Sequence, residues 1–268
     1  MSISRVITVC LIFISTSFTY AQWQQIAIIK NVSNIGKANA SIKNASVFKI
    51  QNSFISDLKA LPLTEDGQKN VQTKTILLPL PGGKSYKAVI HQSSTLHPDL
   101  LKKYPGIYSF TGHGIDDSNS IVKCDIGENG FHAMILSPVF GTIFIDPVAD
   151  EIDGEYVCYT KNDYSVESKK TFNCVVNKYD SQSKNNVAPD GLLPDCTLRK
   201  YRLALACTGE YAAFQGGTVS KVLSAMNTTM TRVSGVYERD LSVTFQIIAN
   251  NDKLVFLNSV TDPYTNND

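Results

Sequence analysis

The sequence predicts an α+β chain in which a β-rich antiparallel domain is followed by an incomplete β-α-β unit. Three observations carry this reading. Residues 41–158 consist of short runs rich in Val, Ile, Leu and aromatics, punctuated by Gly and Pro. Residues 180–195, DSQSKNNVAPDGLLPD, are polar and have no apolar period. Beyond them the pattern changes to an apolar run, a stretch with three- and four-residue apolar steps, and a further apolar run. The 268 residues, 43% of them hydrophobic, suffice for two modest cores.

The elements follow in chain order. Arg5 precedes an apolar run at residues 6–18, VITVCLIFISTSF, and Thr19-Tyr20-Ala21 places small residues at the positions a signal peptidase reads. The apolar run falls short of the roughly 20 residues a membrane span needs. Residues 1–21 are therefore expected to be a signal peptide cleaved between Ala21 and Gln22, which makes the mature protein secreted, extracellular and without a membrane span. ASVFKI, KTILLPL, YKAVIH and GIYSFTGHGI read as strands. SIVKCDI and FHAMIL around the turn GENG read as a hairpin. GTIFIDP and EYVCYT add two strands, and HPDLLKKY at residues 97–104, closed by Pro105, reads as a short helix. This β-rich domain spans residues 22–179, with a linker at 180–195.

In the tail, residues 201–207 read as a buried-type strand. Val219, Val222, Met226, Met230, Val233 and Tyr237 form one apolar helix face, with Thr218 as its N-cap. LSVTFQII and KLVFLN read as second and third strands. A strand, crossover helix and strand pair in parallel, and such a sheet needs cover on both faces. One helix does not supply it. The tail, residues 196–268, is thus expected to expose apolar faces and a free edge, and to resist proteolysis less well than the β-rich domain.

A formal net charge of +1 gives no long-range attraction for nucleic acid or an anionic membrane. The four histidines, His91, His97, His113 and His132, form no H-E-x-x-H. His113 beside Asp116 and Asp117 reads as a polar turn, and Asp150-Glu151 as solvated turn residues. No G-x-S-x-G occurs, and Pro81-Gly82-Gly83 is no phosphate loop, so the residues nominate no complete catalytic site. The sequons at Asn31, Asn44 and Asn227 matter only in a glycosylating host. Six cysteines are present, and Cys10 leaves with the signal. Cys124, Cys158, Cys174, Cys196 and Cys207 then enter an oxidising compartment as an odd number. Cys174 has two readings from the residues alone: a disulfide with Cys124 or Cys158 (or burial in a strand), or a thiolate ligand for zinc. Cys196 and Cys207 either pair with each other or take partners beyond Asp268.

Residues 196–268, beginning CTLRKYRLALACTGEYAAF, resemble the start of the catalytic domain of secreted bacterial reprolysin-like (adamalysin-type) zinc peptidases of the metzincin clan. KYPGIYSFTGHGIDD, GFHAMILSP and GTIFIDP are similar to the β-rich propeptide of the same proteins. The resemblance implies a signal peptide, a propeptide over 22–179, a processing region over 180–195 and the N-terminal part of a truncated metzincin catalytic domain. It implies a latent zinc metalloendopeptidase acting on extracellular protein or peptide substrates, with its own propeptide as intramolecular inhibitor. The family's H-E-x-x-H-x-x-G-x-x-H motif is absent from these 268 residues, so no catalytic residue is assigned and the piece is expected to be inactive. Under the resemblance Cys174 stands where a propeptide cysteine switch would fill the open zinc position in the latent form. Calcium is not carried over, because Arg202 stands near the position of the calcium-binding Glu. The alternative is a non-catalytic secreted β-rich module that binds a partner or inhibits a peptidase in trans.

Overall fold

A computed structural model describes residues 22–33, 40–64, 67–149, 154–166 and 197–264. The expected signal, the Asp150-Glu151 pair, Cys174, the linker and Cys196 lie outside the described residues.

Ten strands form one antiparallel sheet. They are β1 (Trp23–Ser33), β2 (Ala40–Ile50), β3 (Lys74–Pro79), β4 (Ser85–Ser93), β5 (Tyr108–Gly114), β6 (Ile121–Gly127), β7 (Gly130–Ser137), β8 (Gly141–Pro147), β9 (Glu155–Thr160) and β10 (Tyr164–Val166). Their order is β1-β2-β9-β8-β7-β6-β5-β4-β3, and β10 pairs with the first residues of β2. The expected hairpin is present. Gly127 pairs with Gly130, so Glu128 and Asn129 make a two-residue loop, and Gly130 takes the positive φ of 104° that the turn requires.

Alternation gives the sheet two different faces. On β6, Val122, Cys124 and Ile126 point inward, and Lys123 and Asp125 point outward. On β7, Phe131, Ala133 and Ile135 point inward, while His132 takes the outward set. The inward residues pack with Phe54, Ile55 and Leu58 of helix α1 (Asn52–Lys59). The sheet curls until Trp23 meets Phe54, Phe131 and Tyr156 at ring-centroid distances of 5.5, 5.8 and 5.4 Å. The two ends of the strand order approach each other, and the Leu77 N–H of β3 donates to Oε1 of Gln22 at 2.7 Å.

In the tail, β11 (Arg199–Leu203) pairs in parallel with β12 (Val243–Ile247). Between them lie helices α3 (Gly209–Phe214) and α4 (Val219–Leu241). Thr218 caps α4 as expected, accepting from the Lys221 N–H at 3.3 Å. Ser242, left-handed with φ 53°, stops the helix one residue before β12 begins. Helix α2 (Pro98–Lys103) fills the expected place, with His97 accepting from the Asp99 N–H at 3.2 Å.

The structure departs from expectation at several points. Helix α1, strand β1 and helix α3 are additional. The strand expected to be buried over residues 201–207 instead runs Arg199–Leu203 and is largely exposed, with only Leu203 half-buried. KLVFLN is not a strand: Asn251–Leu254 form a 3₁₀ turn, and only Val255 bridges to Cys207. The reason is the fully buried Asn251, whose side chain accepts from the Leu205 N–H at 2.8 Å and donates to the Leu205 carbonyl at 3.0 Å. This amide satisfies both backbone groups that a third strand would have paired. The outer edge of β12, expected to be free, is occupied: the Ile247 N–H donates to Thr95 O at 2.7 Å, and the His97 N–H donates to Ile247 O at 2.8 Å. Leu96 thereby bridges Ile247 in parallel and covers this edge at one position.

The ring cluster sets the stability of the sheet. Phe131→Ala is expected to cost about 3–5 kcal/mol in urea unfolding, because three aromatic neighbours lose their common partner. Val139→Ala, at a side chain 71% exposed, is expected to stay within about 0.5 kcal/mol.

Candidate functional site

Helix α4 lies between the two sheets. Its apolar stripe (Val222, Met226, Met230 and Val233) joins a second core with Leu96, Leu100, Ile107 and Ile247. The opposite stripe is short and polar, and it meets the outward face of β6 and β7. The sequence alone would leave such a stripe in water. Here it forms a seam, and this seam is the candidate functional site.

Polar contacts tie the helix to the large sheet and its connections along the seam. Ser220 donates to Glu128 in the hairpin loop, and Asn129 donates to the Lys221 carbonyl at 3.3 Å. Ser109 donates to Asn227 at 2.9 Å, and the Thr95 and Thr231 hydroxyls are 3.0 Å apart. Thr228 donates to Asp125 at 2.5 Å, and His132 lies 3.4 Å from the same carboxylate. Two ion pairs flank this middle section. Lys123 Nζ sits 2.7 Å from Glu238, with Thr111 and Thr244 holding the two ends. Arg232 pairs with Asp146, which also accepts from the Tyr159 hydroxyl at 2.7 Å, and the guanidinium stacks over Phe144. The helix approaches closely at Gly127, where a Cβ would lie 1.8 Å from the Ser224 hydroxyl.

Burial tunes these charges. It pushes the Lys123 ammonium below its usual value despite the opposing pull of Glu238. His91 is lowered by burial and then by the Lys123 charge. At Asp146 burial works to raise the pKa, but Arg232, His132 and the Tyr159 hydroxyl together outweigh it and hold the carboxyl below the usual carboxylate range. Four buried polar atoms along the seam have no hydrogen-bond partner among the described residues: Asn129 Oδ1, Ser224 Oγ, Asn227 Nδ2 and Arg232 Nε. Two cavities open beside it. One of about 690 Å³ is lined by His132, Asp146, Tyr159 and Arg232, and one of about 630 Å³ by His91, Lys123, Lys200 and Glu238.

The described cysteines take no part in the seam. Cys124 and Cys158 are buried thiols in the inner core, and burial pushes both far up the pH scale. They lie in one row through Ala133 and Ile145. Three strand spacings separate them, roughly 14 Å, too far for a mutual disulfide. Cys207 is a buried free thiol in the second core. Cys174 and Cys196 lie outside the described residues, and so do pairings with them. His113 is exposed but lies in strand β5 opposite Val89 of β4, not in the polar turn expected for it; the turn follows Gly114, and there Asp117 accepts from Ser137 at 2.6 Å. Of the sequons, Asn44 is exposed while Asn227 is 1% exposed inside the seam. Among the described residues no group of three or more His, Cys, Asp or Glu side chains is placed to hold a metal. None of the described helices is long and apolar enough to cross a membrane.

Sequence reasoning misses the seam. Its signal is the row of Ser, Thr, Asn and Gly opposite the apolar face of α4, where a solvated helix would carry Lys and Glu.

The geometry defines an antiparallel sheet docked through a polar seam onto a parallel β-α-β unit. Residues 197–268 match the model of the metallo-peptidase family M12B, reprolysin-like. The match covers the β-α-β unit, so this end of the chain is similar to that family. A search of the curated proteins finds no match.

Two outcomes test the seam. Lys123→Met or Glu238→Leu alone is expected to cost about 3–5 kcal/mol, because each strands a buried charge. The double variant should recover most of that loss in a denaturation cycle. The Asp146 carboxyl is depressed on folding, so its contribution is complete above the unfolded value of about 3.9 and fades as pH falls through the lower folded value. Asp146→Asn is expected to flatten that part of the acid unfolding profile, measured by circular dichroism.

Proposed function

We propose that the chain is the N-terminal portion of an exported, latent zinc metalloendopeptidase that hydrolyses peptide bonds in extracellular proteins. Residues 1–21 are its signal, 22–179 its propeptide, 180–195 its processing region and 196–268 the opening of its catalytic domain. The observation that carries this reading is the family match over residues 197–268. The residues present do not fit a zinc site, since the sequence lacks the H-E-x-x-H-x-x-G-x-x-H motif, and these 268 residues supply no catalytic step.

What these residues do support is restraint. The large sheet and its connections hold the β-α-β unit through the polar seam along α4, the backbone bridge at Leu96 and the apolar core shared around it. A polar contact with unpaired groups resembles interfaces that separate more than it resembles a permanent core. Once the processing region is cut, these contacts alone hold the halves together. Cys174, ahead of that region, is the thiolate this reading assigns to the zinc of the latent form.

The test begins with the reading frame beyond codon 268. An extended zinc motif there, one zinc per molecule and chelator-sensitive peptidase activity after processing support the assignment. Cys174→Ser is expected to raise activity before processing. A natural stop after Asp268 in a zinc-free protein overturns it and favours the non-catalytic module. Limited proteolysis within 180–195 should leave two fragments that co-elute at neutral pH and separate when the shared apolar contact is broken by Leu96→Asp.

A further inference from the structure

Gln22 is the residue that signal cleavage after Ala21 would leave at the mature N-terminus, and its surroundings are defined. Its side-chain Oε1 accepts from the Leu77 N–H at 2.7 Å, and its backbone carbonyl accepts from the Gln51 N–H at 3.2 Å. The residue is half-buried at the closure between β1 and β3, and Trp23 beside it is 9% exposed within the ring cluster. A mature chain beginning here would place an α-ammonium one residue from that cluster, where burial penalises charge.

From this placement we propose that Gln22 is a modification site, converted in the mature protein to pyroglutamate. The neutral α-amine attacks Cδ of its own side-chain amide. The N–Cδ bond forms, the Cδ–Nε2 bond breaks, and ammonia leaves with the proton lost by the amine. Nothing is oxidised or reduced, and no co-reactant enters. The α-amino group, with its usual pKa of about 7.7–8.0, is neutral in a useful fraction of molecules near neutral pH. An N-terminal glutaminyl cyclase would act on the same atoms. The reaction keeps Oε1 as the lactam oxygen, releases the side chain from its bond with the Leu77 N–H, and removes the terminal charge. The backbone carbonyl bonded to Gln51 lies outside the new ring.

The inference rests on the signal reading and is independent of the peptidase assignment. The full chain, signal included, is expressed in a secreting host and the product is mapped by mass spectrometry. The expected N-terminal peptide begins at residue 22 and is lighter by one ammonia. It gives no sequence in stepwise N-terminal degradation until pyroglutamyl aminopeptidase exposes Trp23. Gln22→Ala should restore a readable N-terminus. A free α-amine on Gln22 overturns the modification alone, whereas a mature N-terminus at any other residue overturns it together with the signal reading. Neither outcome bears on residues 197–268.

Discussion

Strict alternation along β6 and β7 is the constraint on which the structure depends. These strands run through the middle of the large sheet, and both of their faces are covered. A slip of one residue would turn Lys123, Asp125 and His132 into the aromatic core and send Val122, Cys124 and Phe131 towards α4. Each exchange would bury a charge without a partner. The tight Glu128-Asn129 loop fixes the register at one end. Correct pairing of this hairpin therefore decides both the inner core and the pattern of charges offered to the helix.

The same pattern explains why α4 has two kinds of face. Against β12 and α2 it presents Val, Met and Leu, and against the large sheet it presents hydroxyls, amides and two charges. Each charge is matched, but at Lys123 desolvation outweighs the attraction of Glu238, as its lowered pKa indicates. The seam thus contributes orientation more than net stability. Its partners fix the rotation of α4 about its own axis, because turning the helix would separate both ion pairs at once.

Much of the fold is legible in the sequence. The strands at ASVFKI, KTILLPL, YKAVIH and FHAMIL, the hairpin at GENG, the Thr218 cap and the parallel pairing across α4 follow from periodicity and turn chemistry. Helix α1 is hidden because NSFISDLK is short and its apolar residues bear on a core built by distant strands. KLVFLN misleads because its composition suits a strand, while the preceding Asn251 supplies the pairing from its side chain. The seam is invisible for a related reason: a polar stripe says that something other than hydrocarbon lies opposite, without distinguishing water from a complementary sheet. The tail read alone leaves its helix and edge bare, and both are covered by residues far upstream.

That cover is not uniform, and the difference bears on how the two halves hold together. The second core is shared. Leu96, Leu100 and Ile107 come from the connection between β4 and β5, whereas Val222, Met226, Met230 and Ile247 come from the tail. Lifting α4 off β6 exposes groups that water can solvate, including four that lack a partner among the described residues. Withdrawing residues 95–107 exposes buried hydrocarbon and an unpaired strand edge, which water does not compensate. The firmer hold is therefore the short segment around Leu96. The broad seam selects the orientation, and the small apolar contact resists separation.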